Sequence, residues 1–436
     1  MPKEKSDILL FLVVNFFQIV YMIINHVIML VVVTNMIKMK IKKKGDFMSI
    51  SKIRFKGYDN SHERKTIGDI TTSFSGGTPK SSNKAYYEGN IPFIRSGEIK
   101  SKQTELFISD EALQNSSAKM VAQGDILYAL YGATSGEVAI SQINGAINQA
   151  ILAIKPNLGY SSEFIMNYLK KEKDNILEKY LQGGQGNLSA AIVKSIELHL
   201  PSHEEQSAIG SLFRTLDDLL TSYKENLANY QSLKATMLSK MFPKAGQTVP
   251  EIRLDGFESG WEEKEFSKLV KRVTQSSDSD SLPKVEFEDI ISGQGRLNKD
   301  ISSKFDNRKG IHFKPGYTLY GKLRPYLNNW LLPKFEGVAL GDFWVFDPNG
   351  NDSNFIYYLV QSSRYQKVAN DTSGTKMPRS DWKSVSSTIF AIPQIIAEQQ
   401  AIGTYFSNLD CLIAAYQEKI SQLETLKKKF LQDMFI

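Results

Sequence analysis

The sequence predicts an α+β protein: two tandem domains, each followed by a long helix, with the two helices forming an intramolecular antiparallel coiled coil. Three observations carry this. First, residues 205–242 (EQSAIGSLFRTLDDLLTSYKENLANYQSLKATMLSKMF) return 193 residues later as 398–435 (EQQAIGTYFSNLDCLIAAYQEKISQLETLKKKFLQDMF). Second, the globular stretches before these segments share anchors: Ile53-Arg54-Phe55-Lys56-Gly57-Tyr58 recurs as Ile252-Arg253-Leu254-Asp255-Gly256-Phe257, Gly124-Asp125-Ile126-Leu127-Tyr128 as Gly316-Tyr317-Thr318-Leu319-Tyr320, and Gly145 as Gly337. Third, each globular stretch mixes short β-like runs with turn residues. A repeat this long constrains the whole architecture, and a chain built twice expects a partner with two related sites.

At 436 residues the chain is too long for one compact core, and the duplication favours two domains of roughly 150 residues plus a helix each. Residues 1–47 have no counterpart in the second copy and are expected to be an apolar extension, either a misassigned start ahead of Met48 or a membrane anchor. Ile8 to Val33 is long and apolar enough to span a bilayer, and Lys38, Lys40, Lys42, Lys43 and Lys44 after it would keep the carboxy-terminal side in the cytoplasm. The chain has 53 basic and 47 acidic side chains, a net +6. Seven of those lysines and three of those carboxylates lie in residues 1–47, which leaves a net +2 for the rest. A polyanionic partner must therefore be argued from local patches. The single cysteine, Cys411, forms no internal disulfide and fits a reducing, cytoplasmic location.

The first domain is expected over 48–200, with β-like runs at Ile91-Pro92-Phe93-Ile94, Ile126-Leu127-Tyr128 and Ile147 to Ile154, and a helical stretch from Ser162 to Tyr180. The first spacer helix follows over 201–244. Pro201-Ser202 marks its start, Glu204 and Glu205 in its first turn suit the helix dipole, and Pro243 stops it. The segment from Pro243 to Pro250 reads as a linker. The second domain, 245–392, has a β-like run from Val338 to Phe346 and a helical stretch from Asn354 to Val368. Pro393 and Glu398 open the second spacer helix, 393–436.

In the first helix, apolar side chains fall at Ile209, Phe213, Leu216, Leu220, Tyr223, Leu227 and Tyr230; in the second, at Ile402, Phe406, Leu409, Ile413, Tyr416, Ile420 and Leu423. Alternating steps of four and three average 3.5 residues per turn, the period that keeps one seam on a partner helix. Both copies then place a lysine on the seam, Lys234 and Lys427, and the apolar stripe shifts by one position to resume at Met237 and Phe430. Each helix should be roughly 55 Å long. Because each leads away from its own domain, antiparallel pairing is expected to place the domains at opposite ends, about a pseudo-twofold axis.

Candidate contact surfaces are polar loops interleaved with aromatics. In the first domain they carry Lys80, Lys84 and Tyr86, then Arg95 and Ser96, Tyr131, and Gln182, Gln185 and Asn187; in the second, Lys322, Arg324 and Tyr326, then Lys376 and Arg379. Arg, Lys, Asn and Gln read base edges and hold phosphates, although solvated turns use the same residues. The sequence has no phosphate-binding Gly-x-x-x-x-Gly-Lys-Ser/Thr loop and no dinucleotide fingerprint. His26, His62, His199, His203 and His312 are scattered. Pro201 keeps His199 and His203 off a shared helical face, so no metal site is expected, and no catalytic residue is identified.

The pattern resembles the specificity subunits of type I restriction-modification systems over essentially all of residues 48–436. It rests on the order domain, helix, domain, helix; on Leu200-Pro201 ahead of Glu205-Gln206-x-x-Ile209 and Ile392-Pro393 ahead of Glu398-Gln399-x-x-Ile402; and on Leu216-Asp217 with Met241-Phe242 against Leu409-Asp410 with Met434-Phe435. The resemblance implies two target recognition domains, each binding half of a bipartite, asymmetric double-stranded DNA sequence, and helices that dock two methylation subunits. It implies a noncatalytic chain, with S-adenosylmethionine, ATP and magnesium belonging to the methylation subunits and to restriction and translocase subunits when present. A membrane-anchored coiled-coil scaffold is the alternative that residues 1–47 raise.

Overall fold

The structure, a computed structural model, describes residues 37–39, 51–180, 187–302, 306–371 and 377–436. The apolar segment from Ile8 to Val33 lies outside the described residues, as do Gln182, Gln185 and Lys376. The chain divides into two compact units, Met1–Ser222 with Ile420–Ile436, and Tyr223–Lys419. Each unit therefore combines a globular domain with part of both long helices, His203–Lys240 (α2) and Ile396–Asp433 (α5).

In the first unit an antiparallel sheet is ordered Thr71–Ser75, Ile151–Pro156, Ile126–Ala129, Val138–Ile140. A mixed sheet is ordered Phe107–Ile108, Ile91–Ile94, Gly145–Ile147, Lys119–Val121, with one parallel pair, Ala146 opposite Phe93. Alternate side chains of both sheets point into one core: Ile94, Val121 and Ile147 from the mixed sheet meet Leu127, Ala139, Ile151 and Ala153 from the other. Two sheets can bury only their facing sides this way, and each fully buried aliphatic side chain contributes on the order of 1.5–3 kcal/mol. Helix α1 (Ser162–Tyr180) buries Phe164, Ile165 and Leu169 outside that inter-sheet cluster.

The second unit repeats the plan. Its antiparallel sheet runs Lys271–Val273, Phe343–Asp347, Thr318–Gly321, Trp330–Leu331, and its mixed sheet runs Ser276–Ser277, Gly310–Phe313, Gly337–Ala339, Lys284–Val285, with a parallel pair at Lys284 and Val338. Val285, Phe313 and Ala339 meet Leu319, Leu331 and Val345 in its core. The recurring Gly145 and Gly337 sit where the parallel strands approach: a Cβ would lie 2.7 Å from the Pro92 carbonyl in the first and 2.7 Å from the Pro283 carbonyl in the second.

Three predicted elements divide. The run from Ile147 to Ile154 is two strands in different sheets, because Asn148 turns the chain: its Oδ1 accepts from the Ala150 amide, and its carbonyl accepts from the Ile151 amide. The run from Val338 to Phe346 breaks at Gly341, whose φ of 85° lies in the left-handed region. The helical stretch from Asn354 to Val368 is two helices, Ser353–Leu359 (α3) and Ser363–Ala369 (α4), since Ser362 caps the second with its hydroxyl on the Tyr365 amide.

The entry to each long helix is built on the same plan. The strand Glu197–Leu200 pairs with Glu63–Thr66, and Ile389–Pro393 pairs with Trp261–Glu265. Glu205 and Glu398 stand in the first turns, as expected, and are also buried at 1% exposure, where they accept from the repeated arginines. Arg54 donates through Nε (2.9 Å) and Nη2 to Glu205, and Arg253 through Nε (2.7 Å) and Nη2 (2.8 Å) to Glu398. Such a fork is strong and directional. The neighbouring glutamines tie the helix to the domain: Gln206 accepts from the Ser161 amide and donates to the Pro201 carbonyl, and Gln399 accepts from the Asp352 amide and donates to the Pro393 carbonyl. One turn on, Gly210 and Gly403 admit close approach; a Cβ there would stand 2.8 Å from Glu163 Cβ and 2.6 Å from Asn354 Cβ respectively.

Within each unit the two helix segments run antiparallel. In the first, Phe213 lies 5.7 Å from Phe435 and Asp217 pairs with Lys427; in the second, Phe242 lies 6.0 Å from Phe406, and Lys234 Nζ is 2.6 Å from Asp410 Oδ1. The lysine that displaces the apolar stripe is thus explained in both copies: it meets the aspartate of the Leu-Asp pair. The seam positions Ile209, Phe213, Leu216, Leu220, Ile402, Phe406, Leu409, Ile413 and Ile420 are buried, and Leu227 is half-buried beside the buried Tyr230.

Candidate nucleic-acid interface

In each unit one candidate loop follows a central strand of the antiparallel sheet and is pinned by an isolated bridge to the segment after the helical region. In the first unit Tyr131 precedes a 3-10 turn, Gly132–Thr134, and bridges Asn187; in the second Leu323, just ahead of the turn Pro325–Leu327, bridges Arg379. The fold thus brings together loops that the sequence keeps more than fifty residues apart.

The side chains on these loops differ in how they are held. Lys80 and Lys84 are exposed, and Tyr86 packs on a small core of Phe93, Ile108, Ala112 and Ala146. Arg95 is engaged by two carboxylates: its Nε and Nη2 donate to Glu98 at 3.1 and 3.0 Å, and Nη2 also to Glu105 at 2.5 Å. Burial raises the Glu98 carboxyl, but the Arg95 guanidinium and the Glu105 and Arg95 amides prevail and hold it down to about 2. A phosphate at Arg95 would have to compete with both acids. Ser96 is half-buried in the adjoining turn, and Tyr131 is exposed.

In the second unit Lys322 and Arg379 share one carboxylate, Asp342, at 3.6 and 2.8 Å. Arg324 and Tyr326 are exposed. The candidate residues legible in the sequence were basic, amide, hydroxyl and aromatic; the carboxylates Glu98, Glu105 and Asp342 that engage them were not among these, although acidic residues near basic loops were the available signal. Among the described residues no group of three or more His, Cys, Asp or Glu side chains stands close enough to hold a metal ion. Cys411 is exposed. No helix among the described residues is long and apolar enough to cross a membrane.

The type I restriction modification DNA specificity domain matches twice, over residues 61–230 and 264–425. The chain belongs to this family. It is a type I restriction-modification specificity subunit with two recognition domains, and its part is recognition rather than catalysis. It is 23% identical over 396 residues to the type I restriction enzyme MjaIX specificity subunit of Methanocaldococcus jannaschii, covering 84% of this chain and 89% of that one. It is 25% identical over 195 residues to the EcoR124I/EcoR124II specificity subunit of Escherichia coli, covering 43% of this chain and 48% of the relative. The crystal structure of a type I restriction-modification S subunit from M. genitalium shares the fold, with a TM-score of 0.60 at 15% identity, over 87% of this chain and 97% of that one. Both matched copies of the specificity domain extend into the long helices.

Proposed function

We propose that this specificity subunit reads a bipartite, asymmetric sequence in double-stranded DNA, one half-site per recognition domain, and that its helices dock two methylation subunits. Restriction and translocation subunits join when present. S-adenosylmethionine, ATP and magnesium are bound by those partners, and the assembly works in the cytoplasm. One observation carries the reading: the two domains repeat a frame while the matched loops differ, Tyr131-Gly132-Ala133-Thr134 bridged to Asn187 against Leu323-Arg324-Pro325-Tyr326 bridged to Arg379. A common scaffold with different contact residues suits two different half-sites, because phosphate contacts position a protein and base contacts specify.

The test is selection from randomised duplexes by the chain purified with its methylation subunit. Enrichment of two unlike sequence elements separated by unread bases is expected, and Arg324→Ala should relax preference in one element only. Enrichment of no split motif would refute the proposal.

A further inference from the structure

We propose that the turn Arg324 to Asn328 is a rigid wedge with which the second recognition domain distorts its half-site, Tyr326 and Leu327 pressing on base steps, and that the first domain lacks the device. The inference rests on the DNA-reading function proposed above. Arg324 and Asn328 flank the turn with φ of 48° and 54°. Asparagine enters the left-handed region readily, but arginine rarely does. Such a conformation persists where the surroundings over-determine it. Here they do: the Arg324 amide donates to the Pro378 carbonyl at 2.7 Å, the Leu327 amide to Arg324 at 2.8 Å, the Asn328 amide to Pro325 at 2.9 Å, and the Gly293 amide to Asn328 at 3.0 Å. The Ser292 hydroxyl holds the Leu327 carbonyl, and Pro325 is buried beneath.

What this bolted turn presents is apolar. Tyr326 is 57% exposed and Leu327 38%, at the tip of the turn. Around it Lys322 and Arg379 share the single carboxylate of Asp342 and Arg324 is exposed, leaving positive charge in excess. An apolar tip inside a cationic rim fits duplex DNA, where such side chains unstack base steps while cations hold the flanking phosphates. The matched turn of the first domain, Gly132-Ala133-Thr134, carries no large apolar side chain at its tip; the exposed Tyr131 stands ahead of the turn, at the position matched by Leu323. Distortion is therefore expected in one half-site alone.

The experiment uses the full chain with its methylation subunit on the selected duplex, with 2-aminopurine replacing each adenine in turn except the methylated one, which methyltransferases flip out themselves. Emission should rise several-fold at a step in the second domain's half-site and nowhere in the first domain's half-site. Tyr326→Ala should abolish the rise and reduce the electrophoretic bend, Tyr326→Trp should restore both, and circular dichroism should show the fold unchanged. Binding of the split motif with no rise, or a rise that survives Tyr326→Ala, would overturn the wedge and leave DNA reading intact. Loss of methylation-subunit binding in Tyr326→Ala with emission unchanged would also overturn it, marking this face as a protein contact. If no split motif is selected, both proposals fall.

Discussion

Glu398→Ala should unfold the second unit's helix entry at a cost that can be worked out from its contacts. The carboxylate is 1% exposed and accepts three hydrogen bonds, from Arg253 Nε at 2.7 Å, Arg253 Nη2 at 2.8 Å and Trp261 Nε1 at 3.0 Å. Deleting one partner of a buried ion pair costs ~3–5 kcal/mol, since the other charge is left uncompensated. Arg253 keeps its bond to the Ser259 carbonyl at 2.5 Å, and its side chain is 18% exposed, so some of that charge finds other partners. The expected loss is at the low end, about 3 kcal/mol. The assay is urea denaturation followed by tryptophan emission. It isolates this unit, because Trp261, Trp330, Trp344 and Trp382 all lie within Tyr223–Lys419. The midpoint should fall by about 1–3 M at ordinary urea slopes. The double variant Arg253→Ala/Glu398→Ala should be clearly more stable than the sum of the single losses. A loss under ~1 kcal/mol, or strict additivity in the cycle, would refute the reasoning.

Phe435→Ala removes a buried ring 5.0 Å from Phe164 and 5.7 Å from Phe213; a loss of about 3–4 kcal/mol is expected in the first unit, seen as faster hydrogen exchange there while the tryptophan transition stays put. Leu220→Asp places an unpaired carboxylate on the seam, where the side chain is 7% exposed, and should weaken helix pairing by several kcal/mol; unchanged exchange protection along His203–Lys240 would count against the buried seam. The Glu137 carboxyl is held at about 2 by the ammonium groups of Lys100 and Lys173. A depressed acid contributes its stability above its unfolded value of 4.5 and loses it as pH falls towards 2, so acid titration should destabilise the first unit across that window, and Glu137→Gln should flatten this limb.

Periodic features were legible in the sequence, and non-local ones were not. The step pattern from Ile209 to Tyr230 reveals a buried seam because every partner position obeys the same local rule. Lys234 and Lys427 were visible as interruptions, but their cause, Asp410 and Asp217, lies on the other helix. Glu205 stands in the first helical turn as its sequence position indicates, but its partner Arg54 lies 151 residues earlier, beyond any local pattern. The repetition of Ile-Arg and Glu-Gln in both copies, in register, was the clue that they act together. Element boundaries failed where one side chain redirects the backbone, as at Asn148 between two strands and Ser362 between two helices. The candidate contact loops were recognised by composition, yet composition does not reveal that Arg95 is locked between Glu98 and Glu105 while Arg324 is turned outward.

The division of the chain sets an order of manufacture. The first unit needs residues 420–436, whose Phe435 rests on Phe164, Tyr168 and Phe213, whereas the second is assembled wholly from Tyr223–Lys419. During synthesis Phe164 and Phe213 therefore lack their Phe435 contact until the last turns of α5 leave the ribosome. The second unit has all of its own residues before that contact can form. Chains cut short near the end would carry one completed unit and one exposed apolar patch, a difference that cellular proteases and chaperones can sense.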